Sequence, residues 1–398
     1  MNVALDGMPL GSQLTGVGHY TFELARSLAL EAPADRFSLL SPLPLAPDVV
    51  EGIQNRSPAN LSLVTLPSNL ANRRWWSVGL PLYLRREKFD LFHGTNYEIP
   101  LVSKTPSVVT IHDLSLLLHP EAHEPRLVRR AKWRLPLMAR SASVIVTPTE
   151  AVKAEVCDRL GIDKQKVVVA HEAPRAVFQR RPPEEALETR RRLNIADDFI
   201  LFVGTLEPRK NLQRLVAAFE LVLQRTVPQT RTPTTPPHPP NATPQLVIAG
   251  GRGWLMDDFA ASLKQRGLSD KIRCPGYLDD DELCALYSSC KLFIYPSLYE
   301  GFGLPPLEAM ACGAPVITSN IPSLKEVASN GARLVDPLNV GDVAAAIAHL
   351  LTNDEARKSL AEAGRERVRS FTWERTAQQT LEVYRKLLQP QITRENRA

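Results

Sequence analysis

The sequence contains few cysteines and no long uninterrupted hydrophobic segment. Its five cysteines, among 398 residues, are scattered without a CxxC pair. This argues against a disulfide framework or a cysteine-ligated metal and favours reduced thiols in a cytosolic protein. No apolar run approaches the ~20 residues that a membrane-spanning helix needs. The first residues, MNVALDG, have the pattern of a β-strand, so we expect no signal peptide.

A strong excess of charge of one sign is also absent. The formal net charge of +5 at pH 7 is mildly basic, and no nucleic-acid-binding motif accompanies it, so we expect no nucleic-acid partner. The content of 44% hydrophobic and 23% charged residues is typical of a globular protein. Because 398 residues exceed what one ordinary hydrophobic core holds, the length predicts two domains.

The most informative segment is residues 291–320, KLFIYPSLYEGFGLPPLEAMACGAPVITSN. Its short apolar runs at 292–295 and 316–318 predict buried strands. Between them, a glycine-containing loop leads to Pro305 and Pro306. Both prolines suit the first turn of a helix, because the early backbone N–H groups there have no intrahelical partner. The segment therefore predicts a strand, a loop, a helix and a second strand.

Glycines and acids in this segment predict a ligand site. Gly301 and Gly303 permit close approach of a ligand to the backbone, just before a helix whose free N–H groups suit phosphate. Glu300 precedes the helix and Glu308 lies about one turn inside it. Carboxylates at these places accept hydrogen bonds from sugar hydroxyls. From spacing alone, Glu308 has an alternative interpretation as an acid that stabilises the helix dipole.

The string EGFGLPPLEAMACGAPVITS resembles the E-x7-E signature of the retaining glycosyltransferases of GT-B family 4, with Glu300 and Glu308 as the two glutamates. The resemblance implies an α/β fold with two Rossmann-like, doubly wound domains that face a central cleft. It also implies a nucleoside diphosphate sugar as donor, held without a metal. By this resemblance Glu308 holds the ribose and Glu300 lies near the donor sugar. Phe302 and Leu304 belong to the same donor-binding segment.

Two stretches of the first half carry further candidates. In TGVGHYT, Thr15 is a candidate helix cap, while Gly16 and Gly18 either permit a tight turn or face the donor, and the resemblance favours the donor. The stretch PSVVTIHDL predicts a strand that ends at His112 and Asp113, where ligand sites form in parallel sheets. A histidine there is often a structural, hydrogen-bonded residue. The IHDL match implies instead that His112 contacts the hexose and that Asp113 orients it or touches the acceptor.

The string GTLEPRKN in the second half resembles the donor-phosphate loop of family 4. Arg209 and Lys210 are either a solvated charge pair or the cations that neutralise the departing diphosphate. Many members have a basic residue where Thr205 stands, so the division of roles between the two cations stays open. Gly276 and Tyr277 are assigned to the neighbourhood of the nucleotide base.

Three remaining patterns concern organisation. The acidic run 279–281 is interpreted as the start of a helix rather than a metal site. The Pro/Thr-rich stretch 226–245 predicts a flexible surface insertion without chemistry. We expect residues 1–182 to form an acceptor-side domain and 183–372 to form the nucleotide-sugar domain. By resemblance, a final helix in 373–398 crosses back to the first domain.

Two basic segments also contain apolar and aromatic residues. Residues 126–140 hold arginines, a lysine, a tryptophan and leucines, and residues 73–76 read RRWW. A solvated helix face is one interpretation. Contact with an anionic membrane or a lipid-linked acceptor is the other. We expect a cytoplasmic location, with contact to the inner face of the membrane under the second interpretation.

Together these features predict a metal-independent, retaining glycosyltransferase that uses a nucleotide sugar as co-substrate and has no other cofactor. By resemblance to mannosyltransferases of the family, the IHDL and GTLEPRKN strings favour mannose from GDP-mannose. The predicted acceptor is a hydroxyl of a growing glycan or lipid-linked saccharide, as in lipopolysaccharide or other surface polysaccharide synthesis. Two alternatives stay open. One is another GT-B enzyme, either a nucleotide-sugar epimerase or a disaccharide synthase. The other is a catalytically inactive scaffold of a polysaccharide assembly complex.

Overall fold

The computed structural model describes residues 1–11, 16–45, 47–66, 74–226, 244–251 and 259–389. The predicted cap Thr15, the basic residue Arg73 and almost all of the Pro/Thr-rich stretch therefore lie outside the described residues. The chain forms two compact units. The first comprises Met1–Ala173 with Thr372–Ala398, and the second is Pro174–Phe371.

The first unit is a seven-stranded parallel sheet with helices between its strands. Its strands are β1 (Asn2–Asp6), β2 (Arg36–Ser41), β3 (Leu61–Thr65), β4 (Leu91–Gly94), β5 (Ser107–Thr110), β6 (Val144–Thr147) and β7 (Val167–Val169), in the order β3-β2-β1-β4-β5-β6-β7. Its helices are α1 (Gly16–Glu31), α2 (Pro47–Gln54), α3 (Leu80–Arg86), α4 (Ser115–Leu118), α5 (Pro125–Ser141) and α6 (Glu150–Leu160). The last helix of the chain, Trp373–Leu388, also belongs to this unit.

The second unit repeats the same parallel αβ architecture with six strands. Helix α7 (Pro183–Leu193) precedes β8 (Phe199–Val203), α8 (Leu212–Thr226), β9 (Gln245–Ala249), α9 (Phe259–Gln265), β10 (Ile272–Gly276), α10 (Asp280–Ser289), β11 (Leu292–Tyr295), α11 (Leu304–Ala311), β12 (Val316–Ser319), α12 (Pro322–Ala328), β13 (Arg333–Val335), α13 (Val340–Thr352) and α14 (Asp354–Val368). The helix Trp373–Leu388 is then α15. The strand order is β10-β9-β8-β11-β12-β13.

The central strands are apolar along their whole length because helices cover parallel sheets on both faces. All five residues of β8, FILFV, and all four of β11, LFIY, are buried. The predicted helix with prolines in its first turn is α11, which begins at Leu304. The α/β, doubly wound architecture expected from the sequence is therefore confirmed in each unit.

Helix α15 packs into the first unit through a buried polar network. The Tyr384 hydroxyl lies 2.6 Å from Nδ1 of His93, and the Thr110 hydroxyl lies 2.8 Å from Nε2 of the same ring. Thr376 on α15 donates to the carbonyl oxygen of His171 at 2.6 Å. Burial, with the nearby charge of His112, lowers the pKa of His93 to about 3, so the ring stays neutral. His93 is therefore a structural link between β4 and α15.

The boundary between the units differs from the one expected at residue 182. The chain passes into the second unit at Pro174, and two ion pairs explain why. Arg175 contacts Asp280 through two hydrogen bonds of 2.5 and 2.6 Å, and Arg181 contacts Asp281 at 2.6 Å. These pairs hold residues 174–181 against α10.

All five cysteines lie in the described part of the chain and are free thiols, as expected. None of the helices that the structure describes has the length and apolar content required to cross a bilayer.

Candidate active site

The strand orders identify one topological switch point in each sheet. In open parallel sheets, ligands bind beyond the carboxyl ends of the two strands between which the order reverses. In the second unit these strands are β8 and β11, and in the first unit they are β1 and β4. The loops that follow β8 and β11 carry seven of the fifteen site residues selected from the sequence: Thr205, Arg209, Lys210, Glu300, Gly301, Phe302 and Gly303.

At the β8–β11 switch point, Lys210 and Glu300 form a buried ion pair. The Lys210 ammonium donates to a Glu300 carboxylate oxygen, Oε1, at 2.6 Å and to the Tyr295 hydroxyl at 2.5 Å. Tyr295 and Ser297 donate to the same Oε1 at 3.0 and 2.5 Å. Arg209 lies 3.0 Å from the second carboxylate oxygen. The structure thus brings three predicted site residues together around one carboxylate.

Burial and neighbouring charges determine which side chains of this cluster are ionised. Burial raises the pKa of Glu300, but Arg209 and Lys210 outweigh that effect and bring the pKa down to about 2. Burial lowers the pKa of Lys210, and the charge of Glu300 opposes this. Burial also raises the pKa of Tyr295 well above its ordinary value, so its hydroxyl keeps the proton that it donates to Glu300.

Arg209 is fixed by three neighbours. Its guanidinium donates to Glu207 at 2.6 Å and to the carbonyl oxygen of Tyr299 at 2.7 Å, besides its contact with Glu300. Glu207 and Glu300 therefore balance the charges of Arg209 and Lys210. The two cations are held rigidly rather than solvated, which excludes the interpretation as a solvated charge pair. Such fixed charges suit the stabilisation of a leaving group, because they need no reorganisation during the reaction.

Asn211 fixes the loop around this cluster, and sequence reasoning did not select it as a site residue. Its backbone is left-handed, with φ of 62°, and its side-chain amide donates to the carbonyl oxygens of Pro296 and Pro337 at 3.0 and 2.7 Å. Tyr295 and Ser297 were also missed as site residues. A tyrosine inside an apolar strand and a serine in a loop give no distinctive sequence signal, so their roles emerge only from the fold.

The glycine loop before α11 has the backbone that the sequence predicts. Gly303 has a left-handed φ of +97°, and a Cβ there would lie 2.3 Å from Leu324 Cδ2, so only glycine fits. Gly301 and Phe302 are buried, and Leu304 is half-buried as the first residue of α11. The loop thus connects Glu300 directly to the N-terminus of α11.

Glu308 lies one turn into α11 and is half-buried. It is separate from the hydrogen-bonded group that Arg209, Lys210 and Glu300 form. The Tyr287 hydroxyl donates to it at 3.4 Å. Burial raises the pKa of Glu308 to about 7, with Arg175 opposing the shift and Asp280 adding to it. Its carboxyl group is therefore close to half-ionised at neutral pH.

Three further predicted donor residues lie at strand ends of the second unit. Thr205 follows β8 and is exposed. Gly276 ends β10 with φ of +88°, and its carbonyl oxygen accepts from the N–H of Gly250 at 2.8 Å. The Tyr277 side chain is 62% exposed. All three lie at the carboxyl edge of the second sheet.

The acidic run 279–281 has local partners that explain it. Asp279 caps α10 in a capping box with Glu282. Asp280 and Asp281 pair with Arg175 and Arg181. Within the described residues, no group of three or more histidine, cysteine, aspartate or glutamate side chains is placed to hold a metal ion.

In the first unit, His112 lies just beyond β5 and is bonded on both ring nitrogens. Nδ1 lies 3.0 Å from the Glu172 carboxylate, and Nε2 lies 2.8 Å from the carbonyl oxygen of Thr95. Asp113 accepts from the Tyr97 hydroxyl at 3.3 Å, and its N–H donates to the same hydroxyl at 3.2 Å. Glu172 is a residue at this site that was not selected from the sequence.

The two glycines of the TGVGHYT stretch differ in environment. Gly16 is the first residue of α1 and is exposed. A Cβ atom built onto it would meet no atom of the described residues within 4 Å, apart from its own neighbours in the chain and the helix backbone. Gly18 is buried within α1. Only Gly16 is therefore accessible to a ligand in the described structure.

Comparisons with known proteins connect this geometry to a family. The profile described as "Glycosyl transferases group 1" matches residues 185–367, and that described as "Glycosyltransferase Family 4" matches residues 14–173. O-antigen chain mannosyltransferase B of Escherichia coli is 31% identical over 97% of this chain and 100% of its own length. The chain belongs to the group 1 glycosyltransferases. The resemblance of the E-x7-E segment is thereby confirmed, and the protein is a glycosyltransferase.

Solved structures show the fold of this glycosyltransferase. Sucrose-phosphate synthase from Thermosynechococcus elongatus matches with a TM-score of 0.73 and 22% identity, over 97% of this chain and 98% of that one. HepE from Anabaena, in complex with UDP and glucose, matches with a TM-score of 0.71 and 19% identity, over 97% and 99%. The predicted GT-B fold, built from two Rossmann-like units, is confirmed.

Proposed function

We propose that this glycosyltransferase transfers mannose from GDP-mannose to a hydroxyl of a growing glycan or lipid-linked saccharide, with retention of the anomeric configuration. The full-length relative with 31% identity is named an O-antigen chain mannosyltransferase, which supports mannose and surface polysaccharide. The Lys210–Glu300 cluster at the β8–β11 switch point is the structural observation that carries the proposal, because it fixes two cations where parallel sheets bind nucleotides.

In this proposal the nucleotide side of the donor lies along the loops of the second unit. Lys210 has three N–H groups, of which two are bonded to Glu300 and Tyr295, so the third serves the diphosphate. Glu300 holds the cations in place, and the loop at Gly301 and Gly303 borders the phosphates. The Glu308 carboxyl accepts hydrogen bonds from the ribose hydroxyls.

The proposed chemical step needs no metal and no covalent enzyme intermediate. The bond between C1 of the sugar and the diphosphate oxygen breaks while the acceptor oxygen bonds to C1 on the same face. The departing diphosphate takes the acceptor proton. Glu300 is unsuited to act as a nucleophile, because its carboxylate already accepts from Lys210, Tyr295 and Ser297.

The acceptor side is assigned to the first unit. A groove of about 220 Å³ lies between α5 and the loop after β4, and it combines apolar with polar side chains. Tyr97, which lines this groove, is hydrogen-bonded to Asp113. Tyr97 thus connects the groove to the predicted site residue Asp113, and Glu98 and Arg130 on the groove walls offer partners for sugar hydroxyls.

We also propose that α5 contacts the cytoplasmic face of a membrane that holds the acceptor. Trp133 is 56% exposed and Leu127 51% exposed on a helix that also exposes Arg126 and Arg129. A basic face with exposed apolar side chains suits anionic lipid. Residues 74–76 do not support this role as the sequence suggested, because Trp75 is buried and the half-buried Trp76 packs against Phe92.

The experiment that tests the proposed function is a two-stage assay. Thermal shifts are measured with GDP, UDP, ADP and their sugar conjugates, because a ligand that binds the folded state raises the melting temperature. GDP-mannose is then incubated with mannose-terminated acceptors, and the new linkage is assigned by NMR. Binding of GDP-mannose followed by formation of an α-linkage supports the proposal. Conversion of the donor sugar without acceptor identifies an epimerase instead, and binding of no nucleotide indicates an inactive scaffold.

A further inference from the structure

The ring of His112 contacts the carboxylate of Glu172, a pairing that the sequence did not predict. Both partners of the His112 ring are acceptors: a backbone carbonyl oxygen of Thr95 at Nε2 and a carboxylate oxygen of Glu172 at Nδ1. The His112 side chain is 11% exposed and that of Glu172 is 7% exposed, so water does not separate the pair.

Hydrogen-bond chemistry limits the protonation states of this ring. A carbonyl oxygen only accepts, so Nε2 must carry a proton. The 3.0 Å contact between Nδ1 and Glu172 is favourable only with a second proton between these two atoms. An ordinary histidine has a higher pKa than an ordinary glutamate, which puts that second proton on the ring. His112 is then an imidazolium paired with an ionised Glu172.

The surroundings of the ring are consistent with a charged His112. Burial lowers the pKa of His112, but its bonds to Glu172 and Thr95 and the charge of Asp113 outweigh burial and raise it. From α1, Tyr20 places its ring 4.6 Å away, edge-on, and from the loop after β4 Tyr97 lies 6.0 Å away. The neighbouring His93 on β4 is neutral and adds no competing charge.

We propose that Glu172 is a positioning residue that keeps His112 protonated and fixed at the carboxyl edge of the first sheet. With both nitrogens bonded inside the chain, His112 offers a substrate its positive charge and ring edge rather than an N–H group. Under the proposed function, a fixed positive charge stabilises negative charge on the bound substrate without reorganisation during the reaction. This last step rests on the proposed function, whereas the protonation of His112 does not.

The test is NMR of the full-length protein labelled with ¹⁵N-histidine, recorded between pH 5 and 9. His112→Asn assigns the signals of this ring among the eight histidines. We expect wild-type His112 to lose its second proton at a higher pH than an ordinary histidine, whose pKa is about 6.5. In Glu172→Gln, the ring should lose its second proton at a pH lower by about one unit or more, because the opposite charge is gone.

A matched control uses the second histidine–glutamate pair of the same unit. His119 Nδ1 lies 3.3 Å from Glu121 at an exposed position. Glu121→Gln should alter the His119 signals and leave those of His112 unchanged. In transfer assays, Glu172→Gln should lower kcat about tenfold and move the basic limb of its pH profile downward, while the donor KM changes less.

Two results would overturn the inference. One is a wild-type His112 that loses its second proton at or below the ordinary histidine pKa of about 6.5, which is decisive even if Glu172→Gln fails to fold. The other is a His112 titration that is the same in Glu172→Gln and in the wild type. If no nucleotide sugar supports transfer while the NMR result is as expected, the proposed function is rejected and the assignment of Glu172 as the residue that keeps His112 protonated stands.

Discussion

The ammonium nitrogen of Lys210 lies 2.6 Å from a carboxylate oxygen of Glu300, although 90 residues separate the two in the chain. The contact joins the loop after β8 to the loop after β11, the two strands that flank the switch point of the second sheet. Because Arg209 contacts the other oxygen of the same carboxylate, one buried glutamate organises both cations. Under the proposed function, stability and donor binding therefore depend on the same residues.

The first prediction concerns the stability contributed by Glu300. Glu300→Gln should destabilise the protein by about 3 kcal/mol or more, since it leaves Lys210 and Arg209 buried with too little compensating charge. The measurement is urea unfolding followed by circular dichroism. The control is Glu220→Gln, which removes the partner of Arg266 in a more exposed pair and should cost at most about 1 kcal/mol. Equal losses in the two variants would contradict the structure.

The stability of the protein in acid should depend on the same residue, Glu300. The folded pKa of Glu300, about 2, lies below its ordinary value of 4.5. The stability that this pair contributes is therefore fully present above pH 4.5 and is lost as the pH falls toward 2. In Glu300→Gln, the unfolding free energy should fall less between these pH values than in the wild type. A fall of the same size would show that Glu300 is not the group responsible.

The second prediction concerns the pH dependence of donor binding. Burial raises the pKa of Glu308 from 4.5 to about 7, so its carboxyl group ionises near neutral pH. Because an ionised carboxylate accepts stronger hydrogen bonds from ribose hydroxyls, GDP affinity should increase as the pH rises through 7. Calorimetric titrations across this range measure the effect, and Glu308→Gln should remove the pH dependence. An affinity that decreases through the same range would exclude ribose binding by this carboxylate.

The third prediction concerns the link between α15 and the first sheet. Tyr384→Phe leaves Nδ1 of the buried His93 without its hydroxyl partner and should cost about 1–3 kcal/mol of unfolding free energy. Tyr277→Phe changes an exposed tyrosine and should have an effect within about 0.5 kcal/mol. Chemical denaturation of both variants checks this. A Tyr384→Phe protein as stable as the Tyr277 control would show that the network does not hold α15.

The fourth prediction concerns α5 and lipid. Arg129→Ser combined with Trp133→Ser should weaken binding to anionic vesicles about tenfold, because one basic and one apolar contact are lost. Arg333→Ser with Leu338→Ser changes an exposed pair of the same types in the second unit and should leave binding unchanged. Sedimentation with phosphatidylserine vesicles provides the measurement. Equal binding of both double variants would show that α5 is a solvated helix face that does not contact lipid.

Much of the fold was predictable from the sequence because buried parallel strands are short and wholly apolar. Each run that predicts β5, β8, β11 or β12 is contiguous in the sequence. Gly303, Pro305 and Pro306, which mark the start of α11, also lie within four residues of one another. Local sequence patterns were therefore enough to locate these strands, the helix α11 and the loop of the E-x7-E segment. The burial of Trp75 was not predicted, because a tryptophan next to arginines has the same local pattern whether it faces solvent or the core.

Pairings between distant residues were the part that the sequence could not supply. Lys210 and Glu300 were both selected as site residues, but their contact depends on how β8 and β11 align in the sheet. Glu172 follows β7, which lies two strands from β5 in the sheet order, and its contact with His112 beyond β5 results from tertiary packing. Neither glutamate's partner could be inferred from spacing along the chain.

The most direct test of the central claim is calorimetric titration of GDP-mannose into the wild type, Lys210→Met and Lys291→Met. Lys291 pairs with Asp198 on the surface and serves as the matched control. Saturable binding to the wild type and to Lys291→Met, with affinity at least about tenfold lower in folded Lys210→Met, is the predicted result. Equal affinity in all three proteins, or no binding of GDP-mannose to the wild type, would contradict it.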